Sequence, residues 1–160
     1  MELQEKIDLI KNNESVAMLA PTFAIDFKFP NLIGMLRQLG FKEVTELTFG
    51  ARIVNWAYAN YIKEHREQEL FISSPCPTVV AFVKTQYPDL VKYLMPIVSP
   101  MAAMAKVHKK FNPNCKVVFI SPCWAKENVE GVPPDYEEDF DAYCEWMTDV
   151  ENAFFEQFNS

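Results

Sequence analysis

The chain has 160 residues, 49% of them hydrophobic and 23% charged, with a formal net charge of −7. That describes one ordinary globular domain long enough to bury a core, and its acidic balance excludes a nucleic-acid surface, which needs clustered Lys and Arg. No segment reaches the roughly 18 apolar residues of a membrane helix, and the start, Met1-Glu2-Leu3-Gln4-Glu5, has no signal-peptide pattern, so a cytoplasmic protein without membrane or nucleic-acid partners is expected.

Residues 2–12 predict a short amphipathic helix with Leu3, Ile7 and Ile10 on one side. Ser15–Leu19 predicts the first strand. It stops at Ala20-Pro21-Thr22, because Pro21 has no N–H for a ladder. Pro30 predicts the start of a helix carrying Ile33, Leu36 and Leu39 and stopped by Gly40. Val44–Phe49 alternates as a second strand, ended by Gly50. Residues 51–68 predict a longer helix with Ile53, Val54, Trp56, Tyr58, Tyr61 and Ile62 on several sides, so burial on more than one face is expected.

Leu70–Ser73 predicts a third strand. A helix follows from Val79, breaks near Pro88, and continues for a turn or two through Leu90, Val91 and Leu94. Pro100 opens a helix with Met101, Met104, Ala105, His108 and Phe111 at 3–4 spacing and Lys106, Lys109 and Lys110 towards its polar side. Lys116–Ile120 predicts the fourth strand. Residues 126–140 are acidic, contain Pro133-Pro134 and predict a loop; Asp141–Met147 is an optional fifth strand, and Val150–Phe158 a closing helix. The order is that of an α/β fold: a parallel sheet of four strands, with a possible fifth, and helices on both faces, forming one unit over residues 1–160.

Two of the predicted strands end alike, at Ser74-Pro75-Cys76-Pro77 and at Ser121-Pro122-Cys123-Trp124. In a parallel sheet equivalent strand ends share one rim, where open α/β sheets place ligands. Cys76 and Cys123 can therefore approach each other despite 46 intervening residues. Thiolates suit iron–sulfur clusters, zinc or copper(I), and a dithiol is the alternative chemistry. The competing view makes both cysteines small buried hydrophobes. Cys115, after Asn112-Pro113-Asn114, reads as a turn residue, and Cys144 as packing. Lys126 lies within reach of an anion at Cys123. His108 reads as a satisfied core histidine, His65 as surface, and Met101 and Met104 as core.

The same segments carry a resemblance. Ser74-Pro75-Cys76-Pro77, then Tyr87-Pro88-Asp89-Leu90, Ser99-Pro100-Met101 and Ser121-Pro122-Cys123-Trp124-Ala125-Lys126 resemble, in order, the T-S-C-C-P, Y-P-E-L, K-S-P-Q-Q-M and M-P-C-x-A-K motifs of the H-cluster domain of iron-only ([FeFe]) hydrogenases. Upstream, Ala20-Pro21-Thr22 resembles the family's A-P-A/S loop, and Leu39-Gly40-Phe41 and Thr48-Phe49-Gly50-Ala51 resemble its L-G-F and T-S-F-G-A-D segments. The resemblance spans roughly residues 14–127. It implies that Cys76 and Cys123 are two of the four cysteines holding a [4Fe–4S] cluster. It also implies that Lys126, Pro21 and Thr22 contact cyanide ligands of a diiron subcluster.

The departures from the family pattern carry equal weight. The position before the first cluster cysteine, a proton-relaying cysteine in the family, is Pro75. The stretch that carries a glutamate pair in the proton path is Ile53–Tyr58, with Ala57 and Tyr58 and no carboxylate. The family's downstream C-x-x-x-C pair has no counterpart in these residues. The resemblance therefore implies the first lobe of a two-lobed domain, with the remainder of a longer polypeptide supplying the other cysteines. A ferredoxin-like domain or a signalling module is the expected neighbour, and no cluster is expected to be bound by this fragment alone. Hydrogen or redox sensing is favoured over bulk turnover. The rivals are an active hydrogenase with a rerouted proton path, a non-catalytic iron–sulfur scaffold, and a dithiol redox protein.

Overall fold

The computed structural model describes residues 3–28, 30–123 and 144–145. Its centre is a parallel sheet in the order β2-β1-β3-β4, with β1 Ser15–Leu19, β2 Glu43–Glu46, β3 Lys116–Ile120 and β4 Cys144–Glu145. All five residues of β1 are buried. A central strand is covered on both faces only when helices lie on either side, which is why it reads as a continuous apolar run. The short β4 falls within the predicted Asp141–Met147; the rest of that span, the acidic loop at 126–140 and the closing helix at 150–158 lie outside the described residues.

Helix α1 (Leu3–Asn12) packs with α3 (Asn31–Leu39), and α3 with β2. Helix α3 buries Leu32, Leu36 and Leu39 on one stripe and stops at Gly40, whose φ of 118° only glycine adopts without strain. The Gly40 N–H reaches the Arg37 and Leu36 carbonyls, and the Phe41 N–H the Leu36 carbonyl, so the last turn is closed. A single turn, α2 (Phe23–Asp26), which the sequence pattern did not signal, drops Phe23 into the core beside Ala20.

Helix α6 (Pro100–Phe111) starts where Pro100 predicted. Ser99 caps it by accepting from the Ala102 N–H at 3.2 Å. It buries Ala102, Ala103, Met104, Ala105 and His108, but Phe111 is 84% exposed, contrary to its place in the predicted stripe. The helix ends there, and its last residue, Phe111, lies on solvent.

Four expectations change. β2 ends at Glu46 rather than Phe49, because Leu47 turns into the helical region and Thr48-Phe49-Gly50 form the first turn of α4 (Thr48–Glu64). That helix stops at Glu64 rather than residue 68, with His65 as its cap. It is also not buried on several faces. Only Gly50 and Val54 are buried on it, and Phe49, Trp56 and Ile62 are exposed.

The fourth correction bears on the site. Leu70–Ser73 is no strand of the sheet; Ile72 makes one parallel bridge, to Leu94. Its one bridge is to the segment the chain returns through after α5 (Pro77–Gln86), not to a strand of the sheet. Pro75 and Pro77 also remove the N–H groups that a longer ladder would need.

Candidate functional site

Adjacent strands of a parallel sheet deliver their C-terminal ends side by side. Leu19 pairs with Glu46 on one side and Ile120 on the other. Beyond the ladder the pairing continues, with the Ala20 N–H donating to the Ile120 carbonyl at 3.0 Å and the Leu47 N–H to the Leu19 carbonyl at 3.0 Å. Three rim segments therefore lie together: Ala20-Pro21-Thr22, Leu47–Gly50 and Ser121–Cys123. Pro21 and Thr22 are exposed on this rim, and Phe23 beneath them pins their loop to the core. Ser121 is buried, and its Oγ accepts from the Cys123 N–H at 3.2 Å, which fixes the backbone where Cys123 emerges.

Cys76 arrives by a different route. It sits at the N-cap of α5 (Pro77–Gln86) in extended conformation, with φ −105° and ψ 113°. Proline at the next position disfavours the helical region for the residue before it. Proline at the first helical position costs no hydrogen bond. Cys76 thus stands at the N-terminal end of a ten-residue helix, just before its first turn.

The loop before Cys76 is held on two sides. On one side the Ile72 N–H donates to the Tyr93 carbonyl at 2.8 Å and the Met95 N–H to the Ile72 carbonyl at 2.9 Å. Ser74 Oγ lies 2.7 Å from the Met95 carbonyl and 2.8 Å from that of Ile97. On the other side the Ser74 N–H donates to the Tyr58 hydroxyl of α4 at 2.9 Å. The segment 93–97 runs directly into Ser99-Pro100 at the start of α6. There, Gly50 of α4 lies so close to Pro100 that no larger residue fits, since a Cβ would sit 2.5 Å from the Pro100 carbonyl oxygen. The Cys76 loop is therefore tied to the rim through the starts of α4 and α6, not through a strand of its own.

The cysteines sort by environment. Cys76 and Cys123 are thiols outside any disulfide, each partly exposed, and Cys115 is 1% exposed inside the core. Soft, accessible thiols are the donors that iron–sulfur chemistry requires, so Cys76 and Cys123 fit such a group and Cys115 does not. Among the described residues no three His, Cys, Asp or Glu side chains gather into a metal site. Cys115 follows the Asn112 turn as expected, with its N–H on the Asn112 carbonyl. Lys126 and the side chain of Cys144 lie outside the described residues.

The histidines stand apart from the rim. His108 is buried on α6, its Nε2 3.1 Å from Thr45 Oγ1 and its Nδ1 3.9 Å from the Glu43 carboxylate. Burial lowers its pKa, and Glu43 raises it back in part. It is a hydrogen-bonded core residue joining α6 to β2. His65 is half-buried rather than on the open surface: its ring stacks on Tyr61 with centroids 4.0 Å apart, and Nδ1 meets the Tyr61 carbonyl at 2.9 Å.

Sequence reasoning missed the bond from Tyr58 to Ser74. The signal was available in part: a tyrosine on a helix face at the point where the family pattern has carboxylates. What it bonds was settled only by the fold. No helix among the described residues is long and apolar enough to cross a membrane.

Comparison with known proteins agrees with this geometry. The [FeFe]-hydrogenase structure HydA(deltaEFG), described in connection with stepwise H-cluster assembly, matches with a TM-score of 0.75 at 22% identity, over 98% of this chain and 47% of its own. A glutamate-to-glutamine variant of the [FeFe]-hydrogenase HydA1 from Chlamydomonas reinhardtii matches with a TM-score of 0.74 at 22% identity, over 97% of this chain and 47% of its own. The chain spans about half the length of the solved structures it matches. At this identity they show the fold. The family model for the C-terminal domain of the iron-only hydrogenase large subunit matches residues 13–145. The chain therefore belongs to the family defined by the C-terminal domain of the large subunit of iron-only hydrogenases.

Proposed function

We propose that this chain is one lobe of an H-cluster-type domain that binds iron–sulfur and diiron centres for hydrogen or redox sensing, with weak or no hydrogen turnover. The observation that carries the reading is the sorting of the thiols: Cys76 and Cys123 are outside any disulfide, partly exposed and borne on loops tied to one rim. When bound, a [4Fe–4S] cluster supplies one-electron chemistry, and Cys76 and Cys123 are two of its ligands. Pro21 and Thr22 on the exposed rim, with Lys126, contact anionic ligands of the diiron part. Two thiolates leave two cluster positions for the remainder of a longer polypeptide. That reading also accounts for the exposed apolar side chains Phe49 and Trp56 of α4 and Val79 and Phe82 of α5, which a second lobe would cover.

Sensing is favoured over turnover by the groups around Cys76. Fast turnover needs acid–base groups within hydrogen-bond reach of the reacting centre. Pro75 has no proton to relay. Tyr58 engages Ser74, and Ser74 Oγ faces two backbone carbonyls, which accept hydrogen bonds but pass no proton on.

The test is anaerobic reconstitution of the full-length polypeptide with iron and sulfide, followed by visible absorption and EPR, beside Cys76→Ser and Cys123→Ser. The expected result is a [4Fe–4S] signature lost in both variants, with hydrogen uptake near background. A cluster indifferent to both substitutions defeats the ligand assignment, and rapid hydrogen uptake defeats sensing.

A further inference from the structure

The segment Ser74-Pro75-Cys76-Pro77 has little freedom of its own. Two prolines flank Cys76, each with φ held near −65°. Cys76 is extended, and its carbonyl accepts from the Val80 N–H at 3.1 Å to open α5. With Pro75 and Pro77 stiff, the placement of the Cys76 thiol follows from where α5 sits and where Ser74 is held.

Ser74 is held by hydrogen bonds whose donors and acceptors balance in one way. Its N–H donates to the Tyr58 hydroxyl at 2.9 Å. Its own hydroxyl has one proton, and the Met95 and Ile97 carbonyls, at 2.7 and 2.8 Å, can only accept. That proton therefore goes to these carbonyls. Tyr58 in turn has one proton to give, and Ser74 Oγ lies 3.3 Å away with a free lone pair. The phenol closes the network: it accepts from the backbone and donates to the hydroxyl of the same residue. Removing it leaves the Ser74 N–H without this acceptor in a half-buried place, which costs more than the bond contributes.

We propose that Tyr58 is the positioning residue for Cys76: its hydroxyl clamps Ser74 and so sets the thiol two residues on. Its relevance to a cluster rests on the reading of Cys76 as a ligand, but the clamp acts in the metal-free chain as well. At the family position of a proton-path carboxylate, this chain thus has a phenol engaged in holding the ligand loop.

The experiment measures iodoacetamide alkylation of each thiol in the 160-residue chain by peptide mass spectrometry. The variants are Tyr58→Phe, Ser74→Ala and, as a control, Thr45→Val. The control deletes a side-chain hydrogen bond of similar length that does not involve the loop, at His108. The proposal expects Cys76 to react about three- to tenfold faster in Tyr58→Phe and Ser74→Ala, the range set by loss of one hydrogen bond. Cys115 and Cys123 keep their rates in both, and Thr45→Val leaves Cys76 unchanged. A Cys76 rate in Tyr58→Phe equal to the unsubstituted chain overturns the proposal, as does an equal rise at every thiol or in Thr45→Val. In the reconstituted full-length protein, Tyr58→Phe is expected to shift the cluster's reduction potential while the cluster is retained. A faster Cys76 in the free chain together with a cluster that survives Cys76→Ser would uphold the clamp and remove the ligand reading.

Discussion

Gly50 and Pro100 meet where α4 and α6 begin, and the contact leaves no room for a side chain. A Cβ on Gly50 would lie 2.5 Å from the Pro100 carbonyl oxygen and 3.0 Å from Met104 Cβ. The nearest atom is backbone, which cannot rotate away. This glycine lets the helix that follows the β2 rim approach the helix that follows Ser99, and through it the segment holding the Cys76 loop.

Gly50→Ala is therefore expected to destabilise the chain by about 1–3 kcal/mol, the usual cost of overpacking. Ala is the better helix former, so a gain in stability on thermal unfolding would mean that the two helices are free to separate.

Acid should act through His108. Burial holds its pKa below 6.5, with Glu43 opposing in part. The neutral ring is the form the fold favours, so its contribution is complete above pH 6.5 and is lost as pH falls through the lower folded value. Between about pH 7.5 and about pH 5 the melting temperature should fall further in the unsubstituted chain than in His108→Gln. Glu43→Gln removes the opposing charge and should make the fall steeper. Parallel melting curves for all three would show that His108 does not titrate differently on folding.

Ser15 opens β1 fully buried, and its hydroxyl has no hydrogen-bond partner among the described residues. Its carbonyl still accepts from the Lys42 N–H, so the ladder does not depend on the side chain. Ser15→Ala should raise stability by about 1 kcal/mol, by removing a buried hydroxyl that gains nothing. Denaturant unfolding with unchanged slope would read this directly.

Cys115 separates packing from ligation. It lies in the core, so Cys115→Ser should lower stability by about 1–3 kcal/mol through burial of a hydroxyl. It should leave cluster loading of the full-length protein intact. Cys76→Ser and Cys123→Ser should do the reverse, with small effects on melting and loss of the cluster's absorption. Equal loading in all three would put the ligands elsewhere.

Local chemistry determined much of this protein. Ser15–Leu19 and Lys116–Ile120 are strands with the bounds their apolar runs predict, because a strand covered on both faces needs no alternation. Pro100 and Gly40 begin and end helices where proline and glycine must. The Ser–Pro–Cys segments and their neighbours were enough to mark the family. Tertiary structure decided what depends on competition for space. Leu70–Ser73 has a strand's composition, but its one bridge, from Ile72, goes to Leu94 rather than to the sheet. Thr48-Phe49-Gly50 suits a strand, yet the approach of α6 to Gly50 goes with helix there. The apolar residues around α4 suggested burial on several sides, and Trp56 is 70% exposed because the described residues place nothing over that face. Tyr58 could be read as a missing carboxylate, but only the folded chain brings Ser74 to its hydroxyl, because a bond across 16 positions depends on how the chain returns.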